Sequence, residues 1–329
     1  MKSRTFLQTL AWACACLTPW MAAPALAQTY PAKAVTVIVP FAAGGGVDAT
    51  ARLIMTRLAD ELKQPVVIEN VAGASGTIGS LRVARAAADG HTLLFAVASP
   101  LNVAPLVAPS AVKYDTFKDF TPLATVAVGP FVLIGRPGLA ATSTSELIRL
   151  AKAQPGKLTV GNDGVGTSLH VTSEMIKQRA HLDILHVPYK SGPQVLTDVA
   201  GGQVDLGVLP LTLAQAFIRE GKVRAYGVTS KARWPGLPDT PSLAETPDLK
   251  DIDVESWLGL LGPAGLPTEV SASLIKALER SMQDPEIIRK LGEIANRPLV
   301  ISGPRFGEYL GRERQMIQGV VTKANIKVD

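Results

Sequence analysis

From about residue 28 onward, short apolar runs alternate with longer segments that are apolar on one face only. The first run, Val35–Val39, is apolar and β-branched, as a buried strand should be. Pro40 and Phe41 end it, and the loop Gly44-Gly45-Gly46 follows. A helix is predicted over 48–62, where Leu53, Leu58 and Leu62 give part of an apolar face. A strand over 66–69 then runs into a second glycine loop, 70–76. A helix over 77–87 comes next, stopped by Asp89-Gly90, and a strand over 92–96. Such strands with short connections predict a βαβαβ unit on a parallel sheet with right-handed crossovers.

Over 126–135 a long strand is broken by Gly129-Pro130, which suits a strand that leaves one sheet and enters another. A second series follows: helix 143–153, strand 158–160, loop 161–166, helix 167–179, strand 184–187, helix 193–200, strand 206–209, helix 213–219 and strand 225–229. Beyond the Pro-rich connector 234–247, the run 256–261 is read as a returning crossover strand. Helices over 267–283, 285–294 and 304–323 each open near a proline and are expected to pack back onto the first sheet. The fold class is therefore α/β, with two lobes, two crossover strands and a cleft between them. The expected boundaries are 28–128 and 253–329 for the first lobe and 129–252 for the second.

The first 27 residues change the picture from fold to location. Lys2 and Arg4, an apolar stretch over 6–21 and Ala25-Leu26-Ala27 make a secretory signal, with cleavage expected after Ala27. Gln8 and Pro19 interrupt the stretch, so it is not read as a membrane span. It resembles a twin-arginine signal only in part, because the second Arg is missing. Cys14 and Cys16 both fall within it, neither behind the Leu usual for lipid attachment, and the rest of the 329-residue chain has no cysteine. Without Lys2 and Arg4 there remain 31 basic against 28 acidic residues. That surplus is small and scattered, so no nucleic acid partner is expected. No later run is long enough to span a membrane. A soluble periplasmic monomer with a core sufficient for its stability is expected.

A strand, a glycine loop and a helix start make an anion site, because unpaired amides and the positive helix end face the loop. Gly45 and Gly46 let the backbone approach a ligand, and Asp48 is read first as the helix N-cap. Gly44-x-Gly46-x-x-Ala49 also fits a dinucleotide fingerprint, with Glu69 where a ribose-binding acid would sit. Residues 40–43 separate strand from glycines, export removes the usual cofactor pool, and no hydride-transfer site is apparent. An NAD-dependent oxidoreductase is thus a minor alternative, and no cofactor is expected. The loop Gly161–Ser168 repeats the arrangement in the second lobe: Gly164 and Gly166 offer amides, and Thr167 and Ser168 offer hydroxyls and a helix cap. Ser99 and Asn102 are candidates for a third rim. His170 sits in a first helical turn, where orienting the loop is favoured over touching a ligand. Tyr189 lies at a strand's C-terminal end, where open α/β sheets bind ligands. Asp205 is read as a cap or as reaching the cleft through water. His91, His170, His181 and His186 lack metal-like spacing, and no nucleophile elbow or P-loop is present, so neither a metal nor catalysis is expected.

Many short motifs in order carry a resemblance to a family: Tyr30-Pro31, Val39-Pro40-Phe41 with the three glycines and Asp48, Glu69-Asn70, and Gly76-Thr77-Ile78-Gly79. Asp89-Gly90-His91-Thr92-Leu93-Leu94, Asp119-Phe120-Thr121-Pro122, His186-Val187-Pro188-Tyr189-Lys190, Gly201-Gly202-Gln203-Val204-Asp205, Leu237-Pro238-Asp239, Ser256-Trp257 and Pro263-Ala264-Gly265 continue it. The chain resembles the Bug/TctC family, extracytoplasmic solute receptors of tripartite tricarboxylate transporters. The resemblance implies a type II periplasmic binding-protein fold that closes on a small carboxylate and hands it to membrane transporter subunits. It implies that the loop containing Phe41, Ala42 and Asp48 and the loop containing Gly161 to His170 grip one carboxylate, and Thr77, in the matching motif Gly76-Thr77-Ile78-Gly79, is a further candidate ligand residue. Ala42-Ala43 stands where Pro-Pro is common, Ser191 where Gly is usual, and Asn162-Asp163 where small uncharged residues are common. An Asp163 carboxylate beside an anion is unfavourable unless it points away. Citrate-like, aliphatic and aromatic acids all remain open as ligands, and a membrane sensor remains open as the partner.

Overall fold

The computed structural model describes residues 30–327, so the leader and its two cysteines lie outside the described residues. The first lobe opens with β1 (Val35–Val39), α1 (Gly46–Leu62), β2 (Val66–Asn70), α2 (Thr77–Ala84) and β3 (Thr92–Ala96). β1 pairs in parallel with both β2 and β3, the predicted βαβαβ unit. After β3 the apolar run does not continue as strand. It turns at Ser99–Val103 into a π-helical turn and then α3 (Ala104–Val107).

β4 (Phe120–Gly135) is longer than predicted and is the strand that changes sheets. Its first part pairs with β9 (Glu255–Pro263) as far as Pro130, and from Phe131 it pairs instead with β7 (Leu206–Pro210). The switch therefore falls beside the predicted Gly129-Pro130 break. The second lobe runs α4 (Thr144–Ala153), β5 (Thr159–Asn162), α5 (Ser168–Ala180), β6 (Leu185–Pro188) and α6 (Gly192–Ala200) before β7, then α7 (Leu211–Arg219) and β8 (Arg224–Val228). β9 starts at the junction, Glu255 opposite Pro130, and leads the chain back into the first lobe. The tail is α8 (Thr268–Ser281), α9 (Pro285–Glu293), the short β10 (Arg297–Pro298) on β4, and α10 (Pro304–Ala324).

The strand order is β2-β1-β3-β9-β4-β7-β5-β6, with β8 and β10 also on β4. One apolar core fills the second lobe, built on Val132, Ile134, Val208 and Leu209. Two more cover opposite faces of the first sheet. One packs Leu58 of α1 and Leu278 of α8 against β1, and the other packs Phe306 and Leu310 of α10 around Trp257. In both lobes the parallel strands end toward the gap between them, so the loops that follow β1, β5, β6 and β7 face one another. Among the described residues no helix is long and apolar enough to cross a membrane.

Candidate functional site

Between the lobes lies a cavity of about 580 Å³ lined by Phe41, Ala42, Gly45 and Gly46 from one side and Asp163, Gly164 and Tyr189 from the other. Of the helices that start at it, α1 begins at Gly46, α6 at Gly192 and α7 at Leu211. Their N-caps are Gly45, Ser191 and Pro210, and none receives a side-chain cap hydrogen bond among the described residues. Each first turn has amides with no intrahelical acceptor, and each helix adds partial positive charge there. An anion in this cavity would meet all of them at once.

The α1 loop is fixed from behind. The structure places the N-cap at Gly45, not at Asp48 as expected, because the helix begins two residues early. Buried Asp48 instead accepts from Gly44 N–H at 2.9 Å, Arg52 Nε at 3.0 Å and Asn70 Nδ2 at 3.0 Å. Burial acts to raise its pKa, but the bonds from Arg52, Gly44 and Asn70 outweigh it and hold the carboxyl below its usual range. Asn70 also donates to the Phe41 carbonyl at 3.1 Å. Neither Asn70, which the sequence marks only as part of the Glu69-Asn70 motif, nor Arg52 is a site candidate on sequence grounds. Asn70 ends β2 beside the β1 loop, a position that the strand pairing of Val39 with Asn70 alone reveals.

The second loop is also tied internally. Thr167 caps α5 by accepting from His170 N–H at 3.2 Å, and its hydroxyl donates to the Gly164 carbonyl at 3.0 Å. Gly166 N–H donates to His170 Nδ1 at 3.1 Å, so His170 orients the loop, its favoured reading. Its ring stacks on His186 with centroids 4.1 Å apart. Burial, aided by His186 and Lys177, lowers the His170 pKa to about 4, so the ring is neutral. The Ser168 amide donates to Ser99 Oγ at 2.9 Å, and the two hydroxyls lie 3.0 Å apart, a bridge between lobes. Gly166, Thr167, Ser168, His170 and Ser99 thus spend their polar groups on the loop and the lobe contact. Ser75, also not foreseen, adds a second bridge by donating to the Val165 carbonyl at 2.8 Å.

Three candidates lie away from the cavity. The Asn102 amide, carried off by the π-helical turn, donates to the Leu310 carbonyl and to Glu313. The Thr77 hydroxyl donates to the Ala74 carbonyl within its own turn. Asp205 lies just before β7, whereas Pro210, at that strand's other end, lines the cavity. It accepts from Arg136 Nε at 2.8 Å and from Thr159 N–H at 3.0 Å, which hold its carboxyl low against burial. Glu69, the acid of the dinucleotide reading, pairs with Arg82 on the surface. Among the described residues no cluster of His, Cys, Asp and Glu could hold a metal ion.

This architecture recurs among known proteins. Residues 50–314 match the family model described as the tripartite tricarboxylate transporter family receptor. Protein BugT of Bordetella pertussis is 31% identical over 312 residues, covering 94% of this chain and 95% of BugT. The structure of Rpa4515 of R. palustris with adipate matches at a TM-score of 0.87 and 32% identity, covering 91% of this chain and 99% of that one. MatC of Rhodopseudomonas palustris, solved with bound malate, matches at a TM-score of 0.78 and 31% identity, covering 90% of this chain and 98% of that one. The family matched over most of its length, and the two-lobed fold shared with its solved members, place this chain in the tripartite tricarboxylate transporter receptor family, a family of periplasmic solute-binding receptors.

Proposed function

We propose that this protein is exported, with cleavage after Ala27, captures a small carboxylate in the periplasm and passes it to the membrane subunits of a tripartite tricarboxylate transporter. The observation that carries the reading is the convergence of the uncapped first turns of α1, α6 and α7 on one inter-lobe cavity. A carboxylate satisfies several such amides together, and each charge-assisted bond strengthens as closure excludes water. Related receptors hold adipate and malate, small acids of the size this cavity admits. Phe41, Ala42, Gly45, Gly46, Gly164 and Tyr189 contact the ligand in this reading, and Asp48, Asn70, Thr167 and His170 hold the contacting loops. The lobes divide near residues 128 and 252, and the ligand stabilises the closed form through its contacts with the second lobe.

A melting-temperature screen with aliphatic and aromatic carboxylates and NAD tests this. A carboxylate at about a hundred times its Kd adds about 2.7 kcal/mol, enough to raise the melting point by several degrees. A rise with NAD and none with any carboxylate would overturn the reading.

A further inference from the structure

Ser191 is the N-cap of α6 and lines the cavity, yet its side chain caps nothing. Where α4, α5 and α9 begin after Ser143, Thr167 and Asp284, the N-cap side chain accepts from a first-turn amide. Ser191 does not, and its Oγ has no hydrogen-bond partner among the described residues. Pro193 supplies part of the reason, because it removes one of the two amides that an N-cap hydroxyl would take. Ser191 is half-buried and its Oγ keeps open surface, so a ligand in the cavity can reach it.

The other hydroxyls on the cavity wall are already engaged. Ser75 donates to the Val165 carbonyl at 2.8 Å, and the Tyr189 hydroxyl bonds to Asp198. Of the charged side chains there, Asp163 is bonded by the Thr167 hydroxyl within its own loop, with its Oδ1 shut off from water. Lys190 is exposed at the rim and forms no ion pair with a described residue. The loop after β6 therefore presents an unspent ammonium and an unspent hydroxyl in succession.

The helix starts are ordered by their contacts. A Cβ on Gly46 would lie 3.2 Å from the Pro210 side chain, so α1 and α7 begin against each other. A Cβ on Gly192 would lie 3.0 Å from Leu213 Cδ2, so α6 begins against the first turn of α7. One carboxylate has about four lone-pair sites, and the first-turn amides of α1 and α7 suffice for them. The start of α6 adds the amides of Gly192 and Gln194, the Ser191 hydroxyl and the Lys190 ammonium. That surplus of donors calls for a second acceptor.

We propose that Ser191 is a specificity-determining residue: its hydroxyl, with Lys190, receives the second carboxylate of a dicarboxylate whose first is held at α1 and α7. This rests on the carboxylate-receptor reading above and narrows its ligand class. Donation to a carboxylate is charge-assisted, and so stronger than the neutral cap bond that Ser191 forgoes.

The test is calorimetry of the purified protein with length-matched pairs: succinate against butyrate, glutarate against valerate, and adipate against hexanoate. The best dicarboxylate is expected to bind at least about tenfold more tightly than its partner. Ser191→Ala should lower that affinity about tenfold and erase most of the preference. Lys190→Gln should lower it less, by an amount that shrinks in high salt because the ammonium is exposed. Because Ser191 caps nothing, unliganded Ser191→Ala should melt where the wild type does, whereas loss of a true cap would lower the melting temperature. No preference for the dicarboxylate, or one unmoved by Ser191→Ala, would overturn the inference. If the acid that binds is lost in Gly46→Val, the receptor reading survives. Failure of every carboxylate to bind the wild type would overturn both.

Discussion

Asp48 takes donors from Gly44, Arg52 and Asn70, and Asn70 in turn holds the Phe41 carbonyl. The α1 loop can thus keep its amides pointing at a ligand without spending a side chain on it. Asn70→Ala is expected to cost about 1–3 kcal/mol of stability, since it leaves Asp48 short of a donor in a buried setting. It should also weaken carboxylate binding about tenfold or more by freeing the loop, as calorimetry would show; unchanged affinity would contradict this role. Because the Asp48 carboxyl is held low, its contribution is present at neutral pH and is lost as pH falls through its depressed folded value. The loop glycines and Tyr189 were legible in the sequence because each follows a strand's C-terminal end, a place where local pattern determines location. Asp205 was not, since the Gly-Gly turn before it puts it just ahead of β7, at the end of that strand away from the cavity. Asn102 was misplaced for a different reason: an apolar run past Ala96 reads equally as strand or helix, and only packing against α10 decides it.

At the scale of elements, α4, α5 and α9 close their first turns with Ser143, Thr167 and Asp284, whereas α1, α6 and α7, which like α2, α8 and α10 have no side-chain cap, open theirs toward the cavity. Thr167→Ala is expected to cost about 1 kcal/mol in chemical denaturation, with the larger effect on ligand affinity because the cap also holds Gly164. A loss of stability with no loss of affinity would show that the cap serves the helix alone. Strands and helices were placed from periodicity to within a few residues, and the sheet change in β4 was foreseen from Gly129-Pro130. The early start of β4 at Phe120 was missed because Thr121 and Pro122 interrupt its apolar pattern. α10 packs on α5 of the second lobe and, within its own lobe, buries Glu313 beneath Asn102 and Trp257 Nε1, both donating at 2.7 Å. Burial still pushes that carboxyl up to about 7, so its ionisation near neutral pH is opposed by the packing that seats the helix.

For the whole molecule, closure is a matter of close approach between loops that belong to different lobes. Gly46 opens α1 in the first lobe, and a Cβ placed there would lie 3.2 Å from the Pro210 side chain and 3.4 Å from that of Thr212, both in the second. The absence of a side chain at Gly46 therefore lets the lobes meet around a ligand, in addition to letting the backbone reach it. Ser75 on Val165 and Ser99 on Ser168 then latch the contact. Neither bridge could be read from sequence, because each joins residues about 70 to 90 positions apart through the closed geometry alone.

Calorimetric titration of the wild type and of Gly46→Val with the carboxylate that most raises the melting point tests the central claim most directly. The account expects saturable binding to the wild type and none to the variant, whose unliganded melting temperature stays close to that of the parent. Equal affinity in the two proteins would contradict a carboxylate clamped between the α1 loop and the second lobe.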